Sequence, residues 1–131
     1  MNYLVVDTNV LINILDKGRT QPKVLSRYDG LIVSPVVLGE YRAGLQETRH
    51  GQSMLTKLFE YLRKLSVEVA HVTDRTAEMY AKIYQALREK GRPIPQNDMW
   101  IAATALEHGA DLATLDEHFR AIPMLTVIIP E

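Results

Sequence analysis

Short β-rich runs alternate with longer helical patterns along the chain, and this alternation constrains the fold more than any other feature. Tyr3 to Val6 is an apolar run with β-branched residues. Leu31 to Val33, Val67 to Val72, Leu112 to Leu115 and Leu125 to Ile129 are the other strand-like runs. Between them the apolar spacing changes to that of helices. Val10 and Ile14, with Leu11 and Leu15 beside them, form a stripe that Gly18 stops, and Pro22 suits the first turn of a further helical segment reaching about Tyr28. Ser34-Pro35 reads as an N-cap followed by proline at the first helical position, opening a helix to about Gly44. From Gln52 to Leu65, the residues Leu55, Leu58, Phe59 and Leu62 share one face. Thr73 or Asp74 caps the next helix, whose stripe is Ala77, Tyr80, Ala81, Tyr84 and Leu87 and whose stop is Gly91. Pro93 and Pro95 forbid helix in the linker that follows. Asn97 then caps a helix from Asp98 to His108, which Gly109 ends, and a short helical turn carries Phe119.

Strands separated by helices require crossover connections, and these generate a parallel sheet covered on both faces. The predicted fold is α/β: a three-layer α/β/α sandwich around a central, mainly parallel sheet of four to five strands. A length of 131 residues suits one domain spanning residues 1–131, with enough chain to bury a core unaided. With 47% apolar and 24% charged residues, the composition is that of an ordinary soluble domain. The chain has no cysteine, which excludes disulfides and thiolate zinc sites and agrees with a reducing cytoplasm. The opening MNYLVVDTNVLINIL lacks the basic region of a signal peptide, and no run approaches the roughly 20 apolar residues of a membrane span. With a net charge of −1, any nucleic-acid partner has to be held by local basic patches.

In open α/β sheets ligands bind beyond the carboxyl ends of the strands, and two acids stand there. Asp7 directly follows the first strand and Asp116 the Leu112–Leu115 strand. Taken singly, either is also accounted for as a helix N-cap. Asp98 opens a helix whose apolar residues Ile101, Ala102, Ala105 and Leu106 lie three, four, seven and eight positions on, so it points along the face that packs on the sheet. Glu40 is the sharpest anomaly. Val36 and Val37 precede it, and Ala43 and Gly44 follow it, at helical spacing. A carboxylate on such a face needs a cation, a proton or an edge position, and Arg42 is an alternative partner for it.

Four carboxylates meeting at one sheet edge would repel one another. A divalent cation resolves this, and oxygen donors without cysteine or clustered histidine select Mg²⁺ or Mn²⁺ over zinc. Such ions activate water and stabilise charge on a reacting phosphate. On this reading Asp7 and Asp98 are the principal ligands, Glu40 and Asp116 complete the shell, orient metal-bound water or hold a second ion, and Asn9 and Thr114 support them by hydrogen bonds.

The segments VVDTNVLI around Asp7, SPVVLGEYRAG around Glu40, and PIPQNDMWIAATALEHGADLATLDEHFRAI around Asp98 and Asp116 resemble the PIN-domain family, specifically its VapC-type toxins. All four family acidic positions are filled. The resemblance implies a Mg²⁺- or Mn²⁺-dependent endoribonuclease, a homodimer, and neutralisation by a VapB-like antitoxin whose C-terminal segment fills the acidic groove. Members of the family cut different RNAs, commonly transfer RNA, so the resemblance leaves the target open.

Arg88, Lys90 and Arg92 form a basic set before the Asp98 helix that suits RNA phosphates, although cations also suit a helix C-terminus. Arg42, Arg49 and Lys57 form a looser set near Glu40. Trp100 fits core or dimer packing better than base stacking. The Gln52–Leu65 helix has enough apolar face for core and partner together. His50, His71, His108 and His118 lack metal-ligand spacing and receive no catalytic role. Among rival functions, a haloacid-dehalogenase-like phosphatase wants a second Asp two residues after the first, where this chain has Asn9. A receiver domain wants a lysine near the last strand, and Leu125–Glu131 has none. A catalytically silent PIN module that binds RNA or protein is the remaining alternative.

Overall fold

The computed structural model describes residues 2–16, 23–65 and 67–130. Five strands, β1 (Tyr3–Val6), β2 (Gly30–Val33), β3 (Glu68–Val69), β4 (Asp111–Ala113) and β5 (Val127–Ile128), form one sheet in the order β3-β2-β1-β4-β5. Every pairing is parallel. The helices are α1 (Thr8–Asp16), α2 (Pro35–Leu45), α3 (Gly51–Lys64), α4 (Asp74–Lys90) and α5 (Gln96–Glu107), with 3₁₀ turns at Lys23–Arg27 and Glu117–Ala121.

From β1 the chain lays down β2 and β3 in one direction, then returns to place β4 and β5 on the other side of β1. Right-handed crossovers therefore send α1, α2 and α3 to one face and α4 and α5 to the other. The packing agrees: α1, α2 and α3 touch one another, α4 lies along α5, and α5 packs on β1 and β4. The expected three-layer α/β fold is what the chain forms. Leu4, Val5 and Val6 are all buried, as are Leu31, Ile32 and Val33, because both faces of a parallel sheet are covered. Ile101, Leu112, Phe119 and Ile122 continue this core.

Several local expectations shift. The Val67–Val72 strand reduces to Glu68–Val69, and the Leu125–Ile129 strand to Val127–Ile128, because each lies at a sheet edge with a neighbour on one side only. Strand β4 ends at Ala113, leaving Thr114 and Leu115 to carry the turn toward the site. On α4 the buried positions are Thr76, Ile83 and Leu87, whereas Ala77, Ala81 and Tyr84 face water. Alanines contribute little area, and Thr76 can be buried because its hydroxyl is satisfied: it accepts from Thr73 N and donates to Glu107. Helix α5 starts at Gln96 with Pro95 at the N-cap position, so Asn97 sits inside the first turn and does not cap. Gly18 and Pro22 lie outside the described residues; the segment expected to reach Tyr28 is the 3₁₀ turn Lys23–Arg27.

Candidate active site

Val6 at the end of β1 pairs with Ala113 at the end of β4. Between these two strands the winding direction of the sheet reverses, and such a switch point opens a crevice at the carboxyl ends. Asp7 and Thr114 are the next residues on each chain segment. Asp7 N donates to Ala113 O at 2.9 Å, extending the ladder by one bond, and the Asp7 carbonyl then accepts the first amides of α1 from Val10 and Leu11.

The Asp7 side chain is only 5% exposed. Its Oδ2 accepts from buried Thr114 Oγ1 at 2.6 Å and its Oδ1 from Thr8 N at 2.8 Å. Burial pushes its carboxyl above the ordinary range; these hydrogen bonds pull it down, and the charges of Glu40 and Asp116 push it up again. Thr114 Oγ1 also accepts from Asp116 N at 3.1 Å, so one hydroxyl positions two acids. Asn9 Oδ1 accepts from Leu115 N at 3.1 Å and fixes the same turn.

Ser34 Oγ accepts from Val36 N at 2.9 Å and starts α2, with Pro35 in its first turn. One and a half turns on, Glu40 is half-buried between α1 and α5. Thr8 Oγ1 donates to its Oε1 at 2.7 Å, and Asn97 Nδ2 to its Oε2 at 2.6 Å. The alternative pairing with Arg42 is not formed; the Arg42 guanidinium lies over the Phe59 ring, 5.7 Å from its centre.

Asp98, in the first turn of α5, is pushed up chiefly by burial, pulled down by His118, and pushed up by Asp7 and Glu40. His118 stands between the last two acids, with Nε2 at 2.8 Å from Asp98 Oδ2 and Nδ1 at 3.0 Å from Asp116 Oδ1. Ligating atoms of Asp98, Asp116 and His118 all fall within 4.8 Å of one another. The two halves of the cluster are linked electrostatically, since Asp7 senses Glu40 and Asp116 while Asp98 senses Asp7 and Glu40.

Sequence patterns give no site role to Thr8, Asn97 or His118. Asn97 has the look of a cap, and histidine spacing alone passes over His118, although it stands two residues after Asp116. Among the described residues no lysine or arginine pairs with any of the four acids, and His118 is their one basic contact. Carboxylates gathered in this way, partly buried and with one imidazole among them but, within the described residues, no lysine or arginine, fit a hard divalent cation. Lys90 has another role: its Nζ donates to Ala121 O at 3.0 Å and ties α4 to the 3₁₀ turn beside His118. Trp100 stacks on Tyr80, with ring centres 4.2 Å apart. None of the described helices is long and apolar enough to cross a membrane.

This fold with its acidic switch point defines a class, and comparison with known proteins agrees. The model of the PIN domain matches residues 4–125, and the chain belongs to the PIN-domain family. Within that family it is 32% identical to ribonuclease VapC4 of Mycobacterium tuberculosis over 124 residues, covering 95% of this chain and 94% of the relative. Its fold matches VapBC-5 of the same organism, a member of the VapBC toxin–antitoxin systems, at a TM-score of 0.73 and 29% identity over 98% of both chains. VapBC2 from Rickettsia felis, solved bound to a promoter DNA fragment, matches at a TM-score of 0.86 and 22% identity, covering 98% of this chain and 99% of that one.

Proposed function

We propose that the chain is a Mg²⁺- or Mn²⁺-dependent endoribonuclease, the toxin of a VapBC-type pair. The observation that carries this is the convergence of Asp7, Glu40, Asp98 and Asp116 on the switch-point crevice with no lysine or arginine to neutralise them among the described residues. The ribonuclease VapC relatives and the VapBC structures support the same reading.

Asp7, Asp98 and Asp116 would hold the cation, and Glu40 on α2 would complete the set. When bound, the cation activates water and stabilises charge developing on the scissile phosphate. The chain's own groups prepare that chemistry. Thr114 and the Thr8 amide aim Asp7, Thr8 Oγ1 and Asn97 aim Glu40, and Asn9 fixes the turn that presents Asp116. Glu40, with both oxygens already oriented, is the group placed to accept a proton from the attacking water. A VapB-like antitoxin covers the acidic crevice, the active form is a homodimer, and the setting is cytoplasmic, where substrates such as transfer RNA are found.

The test is cleavage of total RNA by the purified chain with Mg²⁺ or Mn²⁺, in parallel with EDTA and with the Asp7→Asn and Asp98→Asn variants. Cleavage should require the cation and vanish in both variants. Cleavage that survives equally in both would remove the site assignment. A silent RNA-binding module would bind without cutting under every condition. Asn9, engaged with Leu115 N, leaves a phosphatase without its second aspartate.

A further inference from the structure

Beside the acidic crevice, on the far side of the first turn of α5, lies a cavity of about 410 Å³ between α4 and the 91–95 linker. Tyr80, Tyr84, Arg88, Arg92, Gln96 and Met99 are among its walls, and no carboxylate is. Its volume is in the range of small-ligand pockets. Tyr84 is 50% exposed, while Tyr80 is stacked on Trp100. The side chains of Arg88 and Arg92 make no hydrogen bond or ion pair within the described residues, unlike neighbouring Lys90, which is committed to Ala121. Gln96 and Met99 in the cavity wall bracket Asn97 and Asp98 in the site. The two are thus separated by the breadth of one helix end, about 10 Å.

An RNA strand crossing the crevice meets carboxylates and needs cationic anchorage nearby. An exposed tyrosine that shares a cavity wall with two unpaired guanidinium groups suits a single-stranded nucleotide, with its base stacked on the ring and its phosphates on the arginines. We propose that this cavity is a nucleotide subsite that takes an unpaired base of the RNA one or two positions from the scissile bond, with Tyr84 as the stacking platform and Arg88 and Arg92 as the phosphate anchors. It rests on the ribonuclease reading and adds to it where the substrate strand is gripped and that this stretch is single-stranded.

The experiment measures binding of a fluorescent single-stranded oligoribonucleotide of mixed sequence, in EDTA and over a range of salt, by fluorescence anisotropy. Tyr84→Ala should weaken binding by about five-fold or more, the worth of one base–aromatic stack, and Tyr84→Trp should restore it. Replacing Arg88 and Arg92 by alanine should flatten the dependence of log K on log salt by roughly 0.7 for each phosphate that is no longer neutralised. All three side chains are exposed, and thermal melts verify that the variants stay folded. Parental affinity in Tyr84→Ala, or a parental salt slope in the arginine variant, overturns the proposal. It is equally overturned if the substitutions change only the sedimentation coefficient, which would assign the cavity to a second copy of the chain. Failure of the ribonuclease reading has a different signature: the parental chain does not cut RNA with Mn²⁺, whatever the substitutions do to binding, and if it does not bind the oligonucleotide either, the subsite falls with that reading.

Discussion

Asn97 grips Glu40 across the crevice: its Nδ2 donates to Oε2 at 2.6 Å and joins the first turn of α5 to the middle of α2. Groups that orient metal-site carboxylates typically change affinity or rate by 10–100-fold. Asn97→Ala should therefore lower RNA cleavage by about that factor with little change in melting temperature, since the residue is exposed. Asn97→Asp should do worse, because it sets a carboxylate against Glu40. Steady-state cleavage assays beside thermal melts separate positioning from folding.

Burial raises the Asp7 carboxyl above its ordinary value of 3.8. The sign of the linkage follows. Below the unfolded pKa both states are protonated and Asp7 costs the fold nothing; as pH rises through the higher folded value, stability is lost. Asp98 is raised as well and acts in the same direction. In EDTA the melting temperature should fall as pH rises above the ordinary carboxylate value of 3.8, and Asp7→Asn should flatten that fall. Adding Mg²⁺ or Mn²⁺ should recover the loss at neutral pH in the parental chain but not in Asp7→Asn. A cation at a hundred times its dissociation constant contributes about 2.7 kcal/mol. Scanning calorimetry with and without the cation checks each part.

Thr114 Oγ1 serves Asp7 Oδ2 and Asp116 N together, and the side chain is fully buried. Thr114→Val keeps the shape but leaves the Asp7 carboxylate short of a donor. We expect a loss of about 2 kcal/mol, the cost of an unsatisfied buried partner, with cleavage reduced by more than ten-fold. Thr114→Ser, which restores the hydroxyl, should recover most of both. Urea denaturation and cleavage kinetics on the three proteins give the comparison.

Gly91 ends α4 in the left-handed region at φ +63°, with open space where a Cβ would stand. Gly91→Ala is therefore strained by backbone alone and should cost about 1 kcal/mol, read from the shift of the denaturation midpoint. Because the strain sits beside Arg92, RNA affinity should fall further than cleavage of already bound RNA.

The sheet, its order of elements and the crevice were legible in the sequence because apolar runs, caps and glycine stops agree with one another. Val10, Ile14, Leu58 and Leu62 all lie where their spacing put them. The stripe on α4 is displaced because alanine and tyrosine count as apolar in a pattern while Thr76, a polar residue, takes the buried place through its two hydroxyl contacts. Glu40 could be singled out by its apolar neighbours, but what compensates it could not. Thr8 and Asn97 lie 32 and 57 residues away from it, and a contact across such separations leaves no local periodicity. His118 was hidden for the same reason: its partnership with Asp98 exists only once the last 3₁₀ turn docks beside α5.

The hydrogen bond from Thr114 to Asp7 spans 107 residues. A ribosome making this chain adds Asp7 a full 107 residues before the hydroxyl that meets it. Until Thr114 has emerged, Asp7 has no hydroxyl to meet it and the reversal of the sheet has no β4. A nascent or prematurely terminated chain lacking that segment carries acids but no assembled crevice. Such a fragment holds carboxylates without the hydroxyl that organises them, so the site assembles only after β4 and Thr114 have been made.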